Sequence, residues 1–141
     1  MVRADLGPDF KSNVQVALTA WVSALPDEPG LYVVTLDRLF PRLRSETDIL
    51  YIGQAGKPVN GAPATIRRRW ASRWGFPTYN EVDLRHVMRS LLSSGEQLSV
   101  LCACPIPILD VLLRREAELL DRFFQDHLEL PPLNRAKPAK K

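Results

Sequence analysis

The sequence predicts a layered α/β domain, with helices packed on a small sheet in the order αββααβα. Three observations carry that prediction. Short β-branched and aromatic runs stand at residues 31–36, 49–53 and 98–104. Segments with apolar residues at helical spacing lie between and around them. A length of 141 residues, 45% of them hydrophobic, suits one compact domain with its own core and excludes disorder as the main state.

Each element follows from local pattern. Val14, Leu18, Trp21, Val22 and Leu25 recur at helical spacing behind Ser12 or Asn13 as a cap, which predicts a helix over 12–25 ended by Pro26 and Pro29. Gly30 opens the first strand, LYVVTL, through Leu36. Residues 37–48 are polar and hold Pro41, so they read as a loop. Ile49 to Gly53 form the second strand, and the Gly/Pro-rich stretch at 54–64 a second loop. Pro63 suits the first turn of a helix that carries TIRRRWASRW and stops at Gly75. A further helix is expected from Glu81 to Leu92, a third strand from Leu98 to Cys104, and a last helix from Leu109 to His127 with Leu112, Leu113, Leu119, Leu120 and Phe123 inward. The domain is expected over 12–134, between an arm at 1–11 and a basic tail at 135–141.

Composition narrows the function. No run of about 20 apolar residues exists to cross a membrane, because Leu98 to Leu113 is broken by Pro105, Pro107 and Asp110. The first residues lack the apolar core of a signal peptide, and Cys102 and Cys104 stand too close for a disulfide framework, so a reduced, cytoplasmic protein is expected. The two thiols share one side of a strand and read as core. There are 19 Lys and Arg against 16 Asp and Glu. Arg67, Arg68, Arg69 and Arg73 cluster, and residues 135–141 carry no acid, which favours a polyanion as partner. A solvated helix face and a frayed tail would give the same charge pattern. GxGxxG is missing, GQAGK at 53–57 lacks the spacing of a phosphate-binding loop, and His86 and His127 cannot form a zinc pair.

What remains is an ordered constellation. Gly30-Leu31-Tyr32 and Tyr51-Ile52-Gly53 are followed by Arg69 on a helix, Glu116 in REAELL and Asn134 in PPLN. From Gly30 to Asn134 this resembles the GIY-YIG nuclease superfamily, with residues 37–48 as an insertion. The resemblance implies a central three-stranded antiparallel sheet flanked by helices, to which this chain adds the N-terminal helix. It also implies a metal-dependent endonuclease that hydrolyses phosphodiester bonds in DNA, intact, branched or damaged. A homodimer or a partner protein would then supply double-strand cutting or specificity.

The residue types suit that chemistry. Alternation places Tyr32 with Val34 on one face, and Tyr51 with Ile49 and Gly53 on one face. If those faces coincide, both hydroxyls reach one site. The resemblance assigns Tyr32 as base for the nucleophile, with Tyr51 in support. Arg69 offers a planar fork for a phosphate, and Arg73, one turn on, together with Lys57 would extend the grip on the backbone. Arg67 and Arg68 read as solvated. Glu116 would hold one divalent cation, Mg2+ or Mn2+. Glu118 is the rival ligand, and an ion pair with Arg114 or Arg115 is the plainer role for Glu116. Asn134 would position Glu116 or the phosphate, or would simply be a turn residue after two prolines. Trp70 reads as core, Trp74 as core or base-stacking, and His86 as surface. The rival to an enzyme is a non-catalytic nucleic-acid-binding or protein-interaction domain on the same scaffold.

Overall fold

The computed structural model describes residues 6–41, 46–59, 61–75 and 82–134. These residues form a small α/β domain with a four-stranded antiparallel sheet and three α-helices. The elements in chain order are β1 (Ser12–Gln15), a single 3-10 turn (Val22–Ala24), β2 (Gly30–Pro41), β3 (Glu46–Ala55), β4 (Pro58–Val59), β5 (Ala62–Pro63), α1 (Ile66–Gly75), α2 (Val82–Ser93), β6 (Leu98–Ala103) and α3 (Leu109–His127). The sheet order is β1-β6-β2-β3, and β4 and β5 pair separately.

The expected N-terminal helix over 12–25 is absent. Ser12 to Gln15 alternate in burial and pair with Cys102 to Ser99 of β6. Leu18, one of the supposed helical positions, is exposed, and Ala20 adopts a φ of 63°, which interrupts any right-handed helix there. The open edge of β6 therefore outweighs the local helical spacing and makes the sheet four strands wide rather than three.

The expected loop at 37–48 is largely strand. β2 and β3 continue past the end of β6 as a two-stranded arm, with Phe40 opposite Thr47 and Pro41 opposite Glu46. Pro41 is tolerated because it is the last residue of its strand. Arg38 on this arm forms a bidentate pair with Glu96 at 2.7–3.1 Å. α1 begins at Ile66 rather than at Pro63, which pairs with Pro58. Thr65 caps it by accepting the Arg68 N–H at 3.2 Å.

The sheet is buried on both faces. One face carries Tyr32, Val34, Leu36, Val100 and Cys102 under Trp21, Leu25, Ile66, Trp70 and Met88; it is called the α1 face below. The other carries Leu31, Val33, Ile52, Leu101 and Ala103 under Ile106, Leu112, Leu120 and Phe123 of the α3 layer. Among the described residues no helix is long and apolar enough to cross a membrane.

Candidate active site

Pairing of β2 with β3 sets Tyr32 opposite Gly53 and Val34 opposite Tyr51. The two tyrosines are thus diagonal neighbours on the α1 face, and their rings stack with centroids 6.1 Å apart and planes inclined by 22°. Gly53 creates the space. A Cβ at that position would lie 2.7 Å from the Tyr32 ring and hydroxyl and 2.7 Å from the Tyr51 ring. Ile49 departs from the expected arrangement. Leu50 is an extra residue in β3 between the Tyr51 and Ile49 pairings, and this bulge turns Ile49 to the α3 face while Leu50 joins the α1 face.

The pair is unequal in exposure. Tyr32 is fully enclosed, at 0% relative exposure, whereas Tyr51 is only half-buried. The Trp70 ring meets Tyr32 edge-on at 5.3 Å, and Trp21 meets Trp70 at 5.4 Å. Trp70 is the hydrophobic bolt that seats α1 on the sheet, so Arg69 beside it is carried to the border of this face, where it is half-buried.

The neighbouring arginines divide differently from expectation. Arg67 is an anchor rather than a solvated cation: its Nε donates to the Leu25 carbonyl at 2.9 Å, and its guanidinium stands 3.9 Å from Asp27. The Thr65 hydroxyl donates to Asp27 at 2.7 Å, and that bond, followed by the charge of Arg67, holds the Asp27 carboxyl below its ordinary pKa. Arg68 and Lys57 are exposed. Arg73 belongs to α1, but its side chain, like that of Trp74, lies outside the described residues.

On α3, Glu116 occupies the inward stripe, one turn after Leu112 and one turn before Leu120, both fully enclosed. It is half-buried, and Glu118 is exposed. Arg115 pairs with Asp9, which ties the N-terminal segment to α3 and lowers the Asp9 pKa. A half-buried carboxylate amid leucines is a hard oxygen donor suited to a divalent cation that draws the rest of its shell from water and phosphate oxygens. Among the described residues, no three His, Cys, Asp or Glu side chains gather into a metal cage.

Asn134 acts on the sheet. Its Oδ1 accepts the Ile52 N–H and its Nδ2 donates to the Ile52 carbonyl, both at 2.9 Å, and the Leu133 N–H donates to the Leu50 carbonyl at 2.9 Å. A side-chain amide thereby stands in for one residue of a further strand along the free edge of β3, holding the segment that carries Tyr51.

The tyrosines, Gly53 and Trp70 are brought into contact, and Asn134 grips the same strand. Arg69 and Glu116 ride on helices of opposite layers and approach β3 from its two faces. Sequence reasoning passed over Gln54, which follows Gly53 and whose side-chain oxygen is buried without a hydrogen-bond partner. Its place between Ile52 and the loop at Gly56 was the available signal, since alternation turns it toward α3. Cys102 is buried in the core as expected, whereas Cys104 follows the end of β6 and is only partly buried against it. Burial, then the neighbouring Cys104, pushes the Cys102 thiol up to about 12, and burial raises Cys104 as well. His86 is exposed. No family model, curated protein or solved structure matches the chain.

Proposed function

We propose that the chain is a metal-dependent endonuclease that hydrolyses phosphodiester bonds in DNA. The observation that carries this reading is the stacked Tyr32–Tyr51 pair over Gly53, contributed by the two strand tripeptides and bordered by the arginine helix. Its burial exchanges the parts first assigned to the tyrosines. A polymer substrate reaches Tyr51, which meets solvent, and not Tyr32, which does not. Tyr51 is therefore the group that orients the attacking water, and Tyr32 is the ring that fixes its position.

Arg69 holds a phosphate oxygen by its planar fork, with Lys57 and Arg73 extending the contact along the backbone. Glu116 would hold Mg2+ or Mn2+, which, when bound, neutralises charge on the phosphate and at the leaving oxygen. Asn134 holds the outer edge of β3, which steadies Tyr51 against Tyr32 on β2. A chain with one such site cuts one strand at a time, and a second copy or a partner protein would be needed for paired cuts.

The test is cleavage of plasmid, linear and branched DNA with Mg2+ or Mn2+, comparing wild type with Glu116→Ala and Tyr51→Phe purified identically. Loss of at least about a hundredfold in rate in both variants, with DNA binding retained, is expected. Equal cutting by wild type and Glu116→Ala sinks the assignment. Salt-sensitive binding without cutting by the wild type marks a non-catalytic nucleic-acid-binding domain instead.

A further inference from the structure

Beneath the last turns of α3, on the face of the sheet opposite the tyrosines, lies a small cavity. Leu6 of the N-terminal segment, Ile49 and Ile52 of β3, and Leu119 and Phe123 of α3 form its apolar walls. Four of these five are buried, and Leu119 packs partly against the same core. The volume, about 40 Å3, is roughly three times what one water needs, so it admits a group of about three or four carbon atoms. An apolar floor of this kind holds water poorly. The rim has a different chemistry, for Arg122, Asp126 and His127 complete the lining. The His127 ring lies on Phe123, with centroids 4.2 Å apart, and so extends the wall. Arg122 and Asp126 are exposed and stand one turn apart on α3, and among the described residues neither forms an ion pair. A guanidinium and a carboxylate thus flank one apolar opening, on Cβ atoms about 5–6 Å apart at that helical spacing.

We propose that this cavity binds a free aliphatic α-amino acid of the leucine, isoleucine or valine type. The branched side chain of the ligand fills the apolar floor. Its carboxylate meets the planar fork of Arg122, and its ammonium meets the Asp126 carboxylate. An α-amino acid carries both charges on one carbon, which suits two opposite heads a single helical turn apart. Apolar walls with a few convergent polar groups are the usual form of a small-molecule site. A ligand with a charged or amide side chain is rejected, because that group would leave water for a floor that offers it no partner. Neither Tyr51 nor Arg69 takes part, so the site stands or falls apart from DNA cleavage.

The experiment is isothermal titration of L-leucine into the full chain, for wild type, Arg122→Gln and Asp126→Asn. Both positions are exposed, so neither exchange threatens the fold. One-site binding with a Kd on the order of 0.1 mM is expected for a ligand of this size. Each variant is expected to bind about tenfold or more weakly, because one charged hydrogen-bonding partner is lost. Three relatives of leucine are titrated into the wild type: isocaproate lacks the ammonium, leucinamide the carboxylate and glycine the side chain. Each is expected to bind about tenfold or more weakly than leucine. Excess leucine also raises the melting temperature of the wild type more than that of either variant. No binding of leucine up to about 10 mM overturns the site, as does equal affinity in wild type and both variants. Glycine bound as tightly as leucine overturns it too, because the apolar floor is then unused. Should isocaproate match leucine, the ammonium contact fails, and with it the assignment of an amino acid.

Discussion

On the α1 face of the sheet, the rings of Trp21, Trp70 and Tyr32 meet at steep angles, 63° and 68° between planes, and fill the space between strand and helix with rigid groups. On the α3 face, Leu112, Leu120 and Phe123 pack in one cluster with Phe10, Leu31, Val33 and Ile52, a layer in which aliphatic side chains outnumber the two rings. The rigid face holds Tyr51 at a fixed height above the sheet. The α3 side also carries two half-buried polar residues, Gln54 on β3 and Glu116 on α3. The two faces thus differ in the rigidity of the groups that close them on the sheet.

The difference can be broken most directly by truncation. Trp70→Ala removes the ring that seats α1 and is expected to cost about 3–5 kcal/mol, with Leu112→Ala at the lower end of the range of about 2–5 kcal/mol for a leucine. Urea unfolding followed by far-UV circular dichroism measures both, and a smaller loss for Trp70→Ala would mean that the aromatic face is not the stiffer one.

Added methyl groups sharpen the same comparison. Gly53→Ala forces a Cβ against two rings that already stack on each other, at 2.7 Å, and is expected to destabilise by about 2–3 kcal/mol. Gly56→Ala meets the end of one leucine side chain, which can turn away, so a loss of about 1 kcal/mol or less is expected despite the closer approach. Equal losses would show that both faces yield alike.

The smallest effect concerns the tether that joins the N-terminal segment to α3. The Arg115 hydrogen bond holds the Asp9 pKa below its unfolded value, so the pair's contribution is present above the ordinary carboxylate pKa. It fades as pH falls through the lower folded value. Asp9→Asn is therefore expected to flatten the acid limb of stability between about pH 5 and pH 2, with little change near neutrality. Stability measured by urea across that range checks it, and an unchanged acid limb would remove the tether from the account.

Much of the layer structure was legible from pattern. The runs at 31–36 and 98–103 are strands because β-branched and aromatic residues follow one another there, and α3 spans Leu109–His127 as the leucine spacing predicts. The N-terminal strand was not legible, because Val14, Leu18, Trp21 and Leu25 satisfy a helical period equally well. What decides against it is a partner, β6, far along the chain. The arm beyond Leu36 was hidden for a related reason: a polar strand is held by pairing and not by its own burial. At the site, strand alternation put Tyr32 and Tyr51 each on one face of its own strand, and only the β2–β3 register makes those faces one. It could not predict that Trp70 would close over one of them and leave the other at the surface. Gln54 was invisible because its environment is made by α3.

The clasp of Asn134 on Ile52 also bears on how the molecule avoids its own kind. An exposed strand edge is a template for pairing with another chain, and the edge of β3 at Leu50–Ile52 is denied to intruders by one amide and one backbone N–H. The opposite edge is β1, only four residues long, too short a template for extended pairing. A chain that lost the clasp would offer its longest apolar strand edge to neighbours, so the residue that steadies the site also guards against aggregation.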